Sequence, residues 1–346
     1  MRDMQSARNI YLVQTPYHLL LSILLADPRE SSIFVFVSAD EERWLQYLPA
    51  LREMYGPGCY RTVPQWSRRS LARLSVGWIG AGTLAYRNIA REFRDSRPQV
   101  FVFNDSDVET QMLMSWLRPR RIIHLEDGSF SYVNFRLARS RFAELWKTVI
   151  SFGRYESRDV IGATRGIRWR MALFPDRVRA QLQPSAKLEI TTDGLTRLKR
   201  LAGLLIVGFP QGRLAIFTVP LERLDREEMD WYVAMMKRFK RSGFKICLKA
   251  HPRQIGDLKG FCSVDFVLSP FVPLELFALH SEQVKAVVGV ANTSSIVLRA
   301  LSSSVSVVAL LKGPWAGDSY AVETLRLSGV EVHSVSVTSE VDHSAV

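Results

Sequence analysis

The sequence predicts an α/β protein built as two doubly wound halves, and three observations carry that expectation. Short β-rich apolar runs alternate with longer helical patterns from the start of the chain, the signature of parallel βαβ units. The alternation is interrupted once, by a stretch holding Pro175, Pro184, Ser185, Thr191, Thr192, Asp193 and Gly194, and then begins again. At 346 residues, 47% of them hydrophobic, the chain is long enough for two cores of ordinary size.

In the first half, Ile10–Gln14 reads as a strand, Pro16 opens a helix through Ala26, and Ile33–Val37 is a second strand. Glu41–Tyr55 has the amphipathic period of a helix, stopped by Gly56 and Pro57. A helical region spans about Ser70 to Arg94, with a break expected near Gly77 to Gly82. Strands at Val100–Phe103 and Ile122–Leu125 flank a helix at Val108–Leu117. A helix near Phe142–Phe152 and a strand near Trp169–Leu173 complete this half. The second half reads as strands Leu214–Val219, Lys245–Lys249, Val264–Leu268, Ala286–Val290 and Val305–Leu310. Its helices lie near Asp225–Arg241, Leu274–His280 and Ser294–Ser302. Each half is Rossmann-like. The expected domains are residues 1–185 and 186–346, the second ending in a polar tail from about Gly329.

Composition excludes several classes. With 23% charged residues, 20 Gly and 15 Pro, the chain is neither a collagenous nor a low-complexity polymer. Cys59, Cys247 and Cys262 are too few and too scattered for a zinc knuckle or a disulfide framework, which suits reduced thiols in a cytoplasmic protein. The most apolar stretch, Ile10–Ala26, is interrupted by Gln14, Thr15, Pro16, Tyr17 and His18, so no transmembrane helix is expected. The residues before it lack the apolar core and cleavage site of a secretory signal. Net charge is +12, and Arg136 to Arg179 alone carry eleven basic and four acidic residues. Such a stripe suits phosphates of a nucleic acid, an anionic membrane or a phosphorylated glycan; a solvated arginine-rich surface reads the same way.

Ligands of parallel α/β sheets bind outside the carboxyl ends of the strands, so the polar residues just after each strand matter most. Glu126-Asp127-Gly128-Ser129 follows one strand, placing an acid on a tight turn where a general base can sit, although acid-Gly is also ordinary turn chemistry. Lys249-Ala250-His251-Pro252-Arg253 follows another, a cationic cluster suited to a leaving phosphate, or a histidine satisfied by backbone at a turn. Ala291-Asn292-Thr293-Ser294-Ser295 opens an apolar helix, where hydroxyls and free N–H groups seat a phosphate or simply cap the helix. Glu275, early in the helix after Pro273, is placed to bind a ribose diol or to cap its own helix.

The order of these motifs resembles the bacterial sialyltransferases of glycosyltransferase-B (GT-B) fold, most of all the lipooligosaccharide sialyltransferase and polysialyltransferase families. The opening Tyr11-Leu12-Val13-Gln14-Thr15-Pro16-Tyr17-His18-Leu19-Leu20 also resembles the first strand and helix of glycosyltransferase family 52. The resemblance spans about residues 10 to 310. It implies two Rossmann-like domains facing a central cleft and transfer of sialic acid from CMP-sialic acid to a glycan hydroxyl, with inversion, with no metal and with no cofactor beyond the donor. It implies Asp127 as general base, with Glu126 and Gly128 beside it at the substrate, and His251 as general acid toward the CMP phosphate. Ser294 and Ser295 would hold that phosphate, Glu275 the ribose hydroxyls, and Lys249 part of the nucleotide pocket. Glu222 and Asp225 are reserve candidates for the base.

Other readings stay open at this stage. The same donor pocket suits CMP-Kdo or a polymerising enzyme. Asp105-Ser106-Asp107 matches the Asp-x-Asp that binds manganese in single-domain glycosyltransferases, although Asp107 serves equally as an N-cap. A basic nucleic-acid-binding module would use the arginine stripe, but no recognition motif accompanies it. The expected partners are therefore a CMP-sugar, a glycan or glycolipid acceptor and the inner face of an anionic membrane; a homodimer is left open.

Overall fold

The computed structural model describes residues 9–38, 42–65, 76–133, 137, 140–219, 224–250, 264–312 and 316–334, with the main chain alone for 76–82 and 129. The first sheet is built from β1 (Asn9–Val13), β2 (Ser32–Ser38), β3 (Tyr60–Pro64), β4 (Gln99–Val102), β5 (Arg121–Leu125), β6 (Trp169–Ala172) and β7 (Ala186–Lys187). They pair in parallel in the order β3-β2-β1-β4-β5-β6-β7. The second sheet holds β8 (Leu214–Thr218), β9 (Lys245–Lys249), β10 (Phe266–Leu268), β11 (Val284–Val290), β12 (Ser306–Leu310) and β13 (Glu331–His333). Its order is β10-β9-β8-β11-β12-β13, again parallel throughout. Strands β1 and β2 are buried along their whole length, as central strands covered by helices on both faces must be.

Helices of the first part are α1 (Pro16–Leu25), α2 (Glu42–Leu45), α3 (Leu48–Tyr55), α4 (Val76–Phe93), α5 (Val108–Leu117), α6 (Ser129–Tyr132), α7 (Arg141–Ile150) and α8 (Thr192–Leu205). Those of the second are α9 (Arg226–Arg241), α10 (Leu274–His280), α11 (Thr293–Leu301) and α12 (Ser319–Leu327). One core gathers Leu12, Val35, Val100 and Val102 with Tyr86 and Phe93 of α4 and Met112 and Leu117 of α5. The other gathers Phe217, Ile246, Leu248, Val288 and Val308 with Tyr232 and Met236 of α9. Among the described residues no helix is long and apolar enough to cross a membrane. Cys59 and Cys247 are buried thiols, each pushed up to about 11 by burial, and Cys262 lies outside the described residues.

Several sequence expectations are corrected. The helix expected over residues 41–55 is two, because Pro49 at the start of α3 has no N–H to continue a helix from α2. Conversely, α4 runs unbroken through Gly77, Gly80 and Gly82; each glycine costs about 1 kcal/mol against alanine, and burial of Tyr86, Ile89 and Phe93 offsets it. Strands β3, β7 and β13, and helix α12, were not expected. The domain boundary also moves. The chain divides into Met1–Gly208 with Glu275–His280, and Phe209–Leu274 with Ser281–Val346, rather than at 185/186. The cause is α8, which the polar Thr191-Thr192-Asp193-Gly194 run disguised as linker. Thr191 Oγ1 accepts from the Gly194 N–H at 3.0 Å, an N-cap, and Arg197 donates to the Ile23 and Leu24 carbonyls at 3.0 and 2.8 Å. Those bonds tie α8 to the end of α1.

Candidate active site

In the first unit, the residues leaving β1, β4 and β5 converge. Thr15 caps α1, its hydroxyl accepting from the His18 N–H at 3.2 Å, and Pro16 pre-forms the first turn, so His18 falls on it. The imidazole stacks flat on Phe103, with centroids 4.3 Å apart and planes 4° from parallel. Its Nδ1 accepts from the Gln14 N–H at 3.3 Å, which leaves the proton on Nε2. That proton points at Asp127 Oδ1, 2.8 Å away. Asp127 lies two residues past β5, its N–H donating to Ser131 Oγ at 3.0 Å, and Gly128 takes a φ of 54° so that the chain can turn into α6. The His18 side chain is 2% exposed and that of Asp127 13%, so the carboxylate is the more accessible of the two.

A second carboxyl stands beside this pair. Asp107, just before α5, accepts from Gln14 Nε2 at 2.7 Å, and the same amide donates to Thr110 Oγ1 at 3.2 Å. Burial first, and then the neighbouring Asp127 charge, push the Asp107 carboxyl up to about 6.

Glu126, expected at the substrate, is buried and engaged. One carboxylate oxygen accepts from Tyr17 of α1; the other accepts from Tyr132 of α6 and from the Leu173 N–H at 2.6 Å, just past β6. Burial raises its pKa despite these donors. It is a brace between three elements, not a ligand group. Asp105 is likewise turned inward, accepting from the Gly162 N–H at 2.6 Å and from the Thr164 N–H and hydroxyl at 2.9 and 2.5 Å. With both oxygens held by those donors and Asp107 bound to Gln14, Asp105 and Asp107 do not fit the manganese Asp-x-Asp reading.

In the second unit, the expected nucleotide residues lie at the carboxyl ends of β9 and β11. Asn292 and Ser295 form a reciprocal cap at the start of α11, Asn292 Oδ1 accepting from the Ser295 N–H at 3.2 Å and Ser295 Oγ from the Asn292 N–H at 3.4 Å. Ser294, the second helical residue, is half-buried. Lys249 is buried and donates to the Pro270 carbonyl at 3.2 Å. Asp225, a reserve base, is spent in a capping box with Glu228, which also binds Lys312 at 2.6 Å. Glu275 is buried near the start of α10, among the residues that divide with the first unit. His251 and Glu222 lie outside the described residues.

The structure thus keeps Glu126, Asp127 and Gly128 together at one strand end and gives the two carboxylates different surroundings, Glu126 enclosed by donors and Asp127 on His18. Sequence reasoning missed His18, Gln14, Tyr17 and Asp107 as parts of this cluster. A signal existed: Gln14 to His18 are the polar residues that interrupt the apolar run right after the first strand.

No protein-family model matches the sequence, and no curated protein does. Solved structures do match. The α/β-galactoside α-2,3-sialyltransferase of Photobacterium phosphoreum superposes with a TM-score of 0.52 at 10% identity, covering 94% of this chain and 97% of that one. The fold is that of the GT-B glycosyltransferases. The 2,6-sialyltransferase of Photobacterium sp. JT-ISH-224, solved with CMP and lactose, matches at 0.51 and 12% identity over 94% of this chain and 78% of its own. The UDP-GlcNAc 2-epimerase of Neisseria meningitidis is also similar, at 0.48 and 11% identity over 94% and 86%. At these identities the GT-B likeness establishes architecture, and the chemistry rests on the residues themselves.

Proposed function

We propose that the protein is an inverting, metal-independent sialyltransferase that moves sialic acid from CMP-sialic acid to a hydroxyl of a cell-surface glycan such as lipooligosaccharide. The observation that carries this reading is the partly exposed Asp127 carboxylate, held by the buried His18 at the carboxyl end of a GT-B sheet. Asp127 takes the acceptor proton as the acceptor oxygen bonds to the anomeric carbon. The bond from that carbon to the phosphate oxygen breaks, and CMP leaves with a proton from His251. His18 positions the base without touching substrate. The phosphate is stabilised by Ser294, by the positive dipole end of α11 and by the charge of Lys249; the Ser295 hydroxyl, already in its cap, acts by holding that turn. Glu275 receives the ribose hydroxyls. The sialic acid carboxylate at the reacting carbon and the stability of CMP as a leaving group make a metal unnecessary.

The test is release of CMP from CMP-sialic acid with and without lipooligosaccharide, in EDTA, with the anomeric configuration of the product read by NMR. Acceptor-dependent release of CMP and an inverted product support the proposal. Turnover of CMP-Kdo in place of CMP-sialic acid would replace the donor, and an absolute need for manganese would overturn the mechanism.

A further inference from the structure

Helix α7 carries an apolar face that its own domain does not cover. Phe142, Leu145, Trp146 and Val149 stand at helical spacings of three and four residues and are 70, 62, 38 and 58% exposed. Phe142 and Trp146 meet edge to face, with centroids 6.4 Å apart, so the four form one stripe. Ile150, on another side of the helix, is the residue that enters the core. Phe152, two residues beyond the helix end at a φ of 54°, is also 63% exposed. Single exposed apolar residues are ordinary; four large ones on one helix face mark a docking surface.

The charges around the stripe say what docks. Exposed Arg141 stands at the helix start and exposed Arg154 just beyond Phe152. The Arg154 guanidinium lies 5.8 Å from the Trp116 ring, and exposed Arg87 lies 5.9 Å from the same ring, extending the basic rim. The acid of the helix, Glu144, is turned to Lys147 at 3.2 Å. An apolar stripe rimmed by arginines complements a surface with negative phosphates outside and hydrocarbon beneath. A second copy of the chain, docked face to face about a two-fold axis, would bring the same arginines against one another, on a chain of net charge +12. We propose that the α7 face docks on an anionic lipid bilayer, with the apolar side chains entering the interface and Arg141 and Arg154 meeting headgroup phosphates. This goes beyond the basic stripe, because the structure divides that stripe. Arg179 is buried, Arg158 and Arg165 pair with Glu156, and the membrane face is the part around α7.

The experiment is cosedimentation of the full chain with phosphatidylglycerol–phosphatidylethanolamine vesicles and with phosphatidylcholine vesicles, in 0.15 M salt. Binding to the anionic vesicles alone is expected, with at least a tenfold loss of partitioning in Phe142→Ser/Leu145→Ser and, separately, in Arg141→Glu/Arg154→Glu. Because these side chains are exposed, both variants should keep the wild-type thermal unfolding curve. Three results would overturn the proposal: no binding to anionic vesicles, an apolar double variant that binds them like wild type, or a vesicle-independent dimer that the same variant converts to monomer.

Discussion

His18 Nε2 donates to Asp127 Oδ1 at 2.8 Å, joining residues 109 positions apart in the chain. The ring is clamped on three sides, by Phe103 below, the Gln14 N–H at Nδ1 and Asp127 at Nε2, and so is fixed against the carboxylate. Asp127→Ala should lower the transfer rate by about 10²- to 10⁴-fold, the range of a lost general base, with the fold retained. His18→Ala should lower kcat roughly tenfold or more with KM little changed, since the ring orients a group that acts in the transition state. His18→Gln, whose amide can still donate toward Asp127, should recover much of that loss. Equal losses in His18→Ala and His18→Gln would assign His18 to packing alone.

Glu126 separates stability from catalysis. Its removal leaves two tyrosine hydroxyls and the Leu173 N–H without their buried acceptor. Glu126→Ala should therefore cost on the order of 3 kcal/mol, and Glu126→Gln, which keeps one acceptor oxygen, less. Urea midpoints at constant slope measure this.

Asp107 makes stability depend on pH. Its folded carboxyl, at about 6, binds a proton more tightly than at the ordinary 3.8, so stability falls as pH rises through the interval between them and stays lower above it. Asp107→Asn keeps an oxygen for Gln14 and removes the charge. The variant should exceed wild type above pH 6 by up to about 3 kcal/mol, and the gap should shrink toward pH 4. Urea unfolding at pH 4, 5.5 and 7.5 reads it, and a gap independent of pH would reject the assignment.

Gly289 of β11 stands where Thr218 of β8 leaves no room. A Cβ there would strike the Thr218 hydroxyl and lie 3.2 Å from its carbonyl oxygen. Tyr232 pins both strands, its hydroxyl donating to the Thr218 carbonyl at 2.7 Å and accepting from the Val290 N–H at 3.0 Å, so neither can retreat. Gly289→Ala should cost about 1–3 kcal/mol, and adding Thr218→Ala should return part of it as a favourable coupling in a double-mutant cycle.

What could be read before folding follows from local periodicity. Central strands such as β2 and β9 and helices such as α5 and α10 were legible because continuous apolar runs and helical spacing need no knowledge of neighbours. The edge strand β3 was not, since only Val63 of its five residues is buried. Helix α8 was not, because a cap and a turn draw on the same residues.

The same division runs through the candidate site. Residue order alone placed Asp127 after a strand and Ser294 at a helix start, and so determined two halves of α/β type with polar groups at the strand ends. Only tertiary structure decided that, of two adjacent carboxylates, Glu126 is enclosed by Tyr17 and Tyr132 while Asp127 stays partly exposed and receives His18. The reason is physical: spacing along the chain dictates which residues share a strand end, whereas the availability of a carboxylate depends on which donors, from elements far away in sequence, reach it when the layers pack.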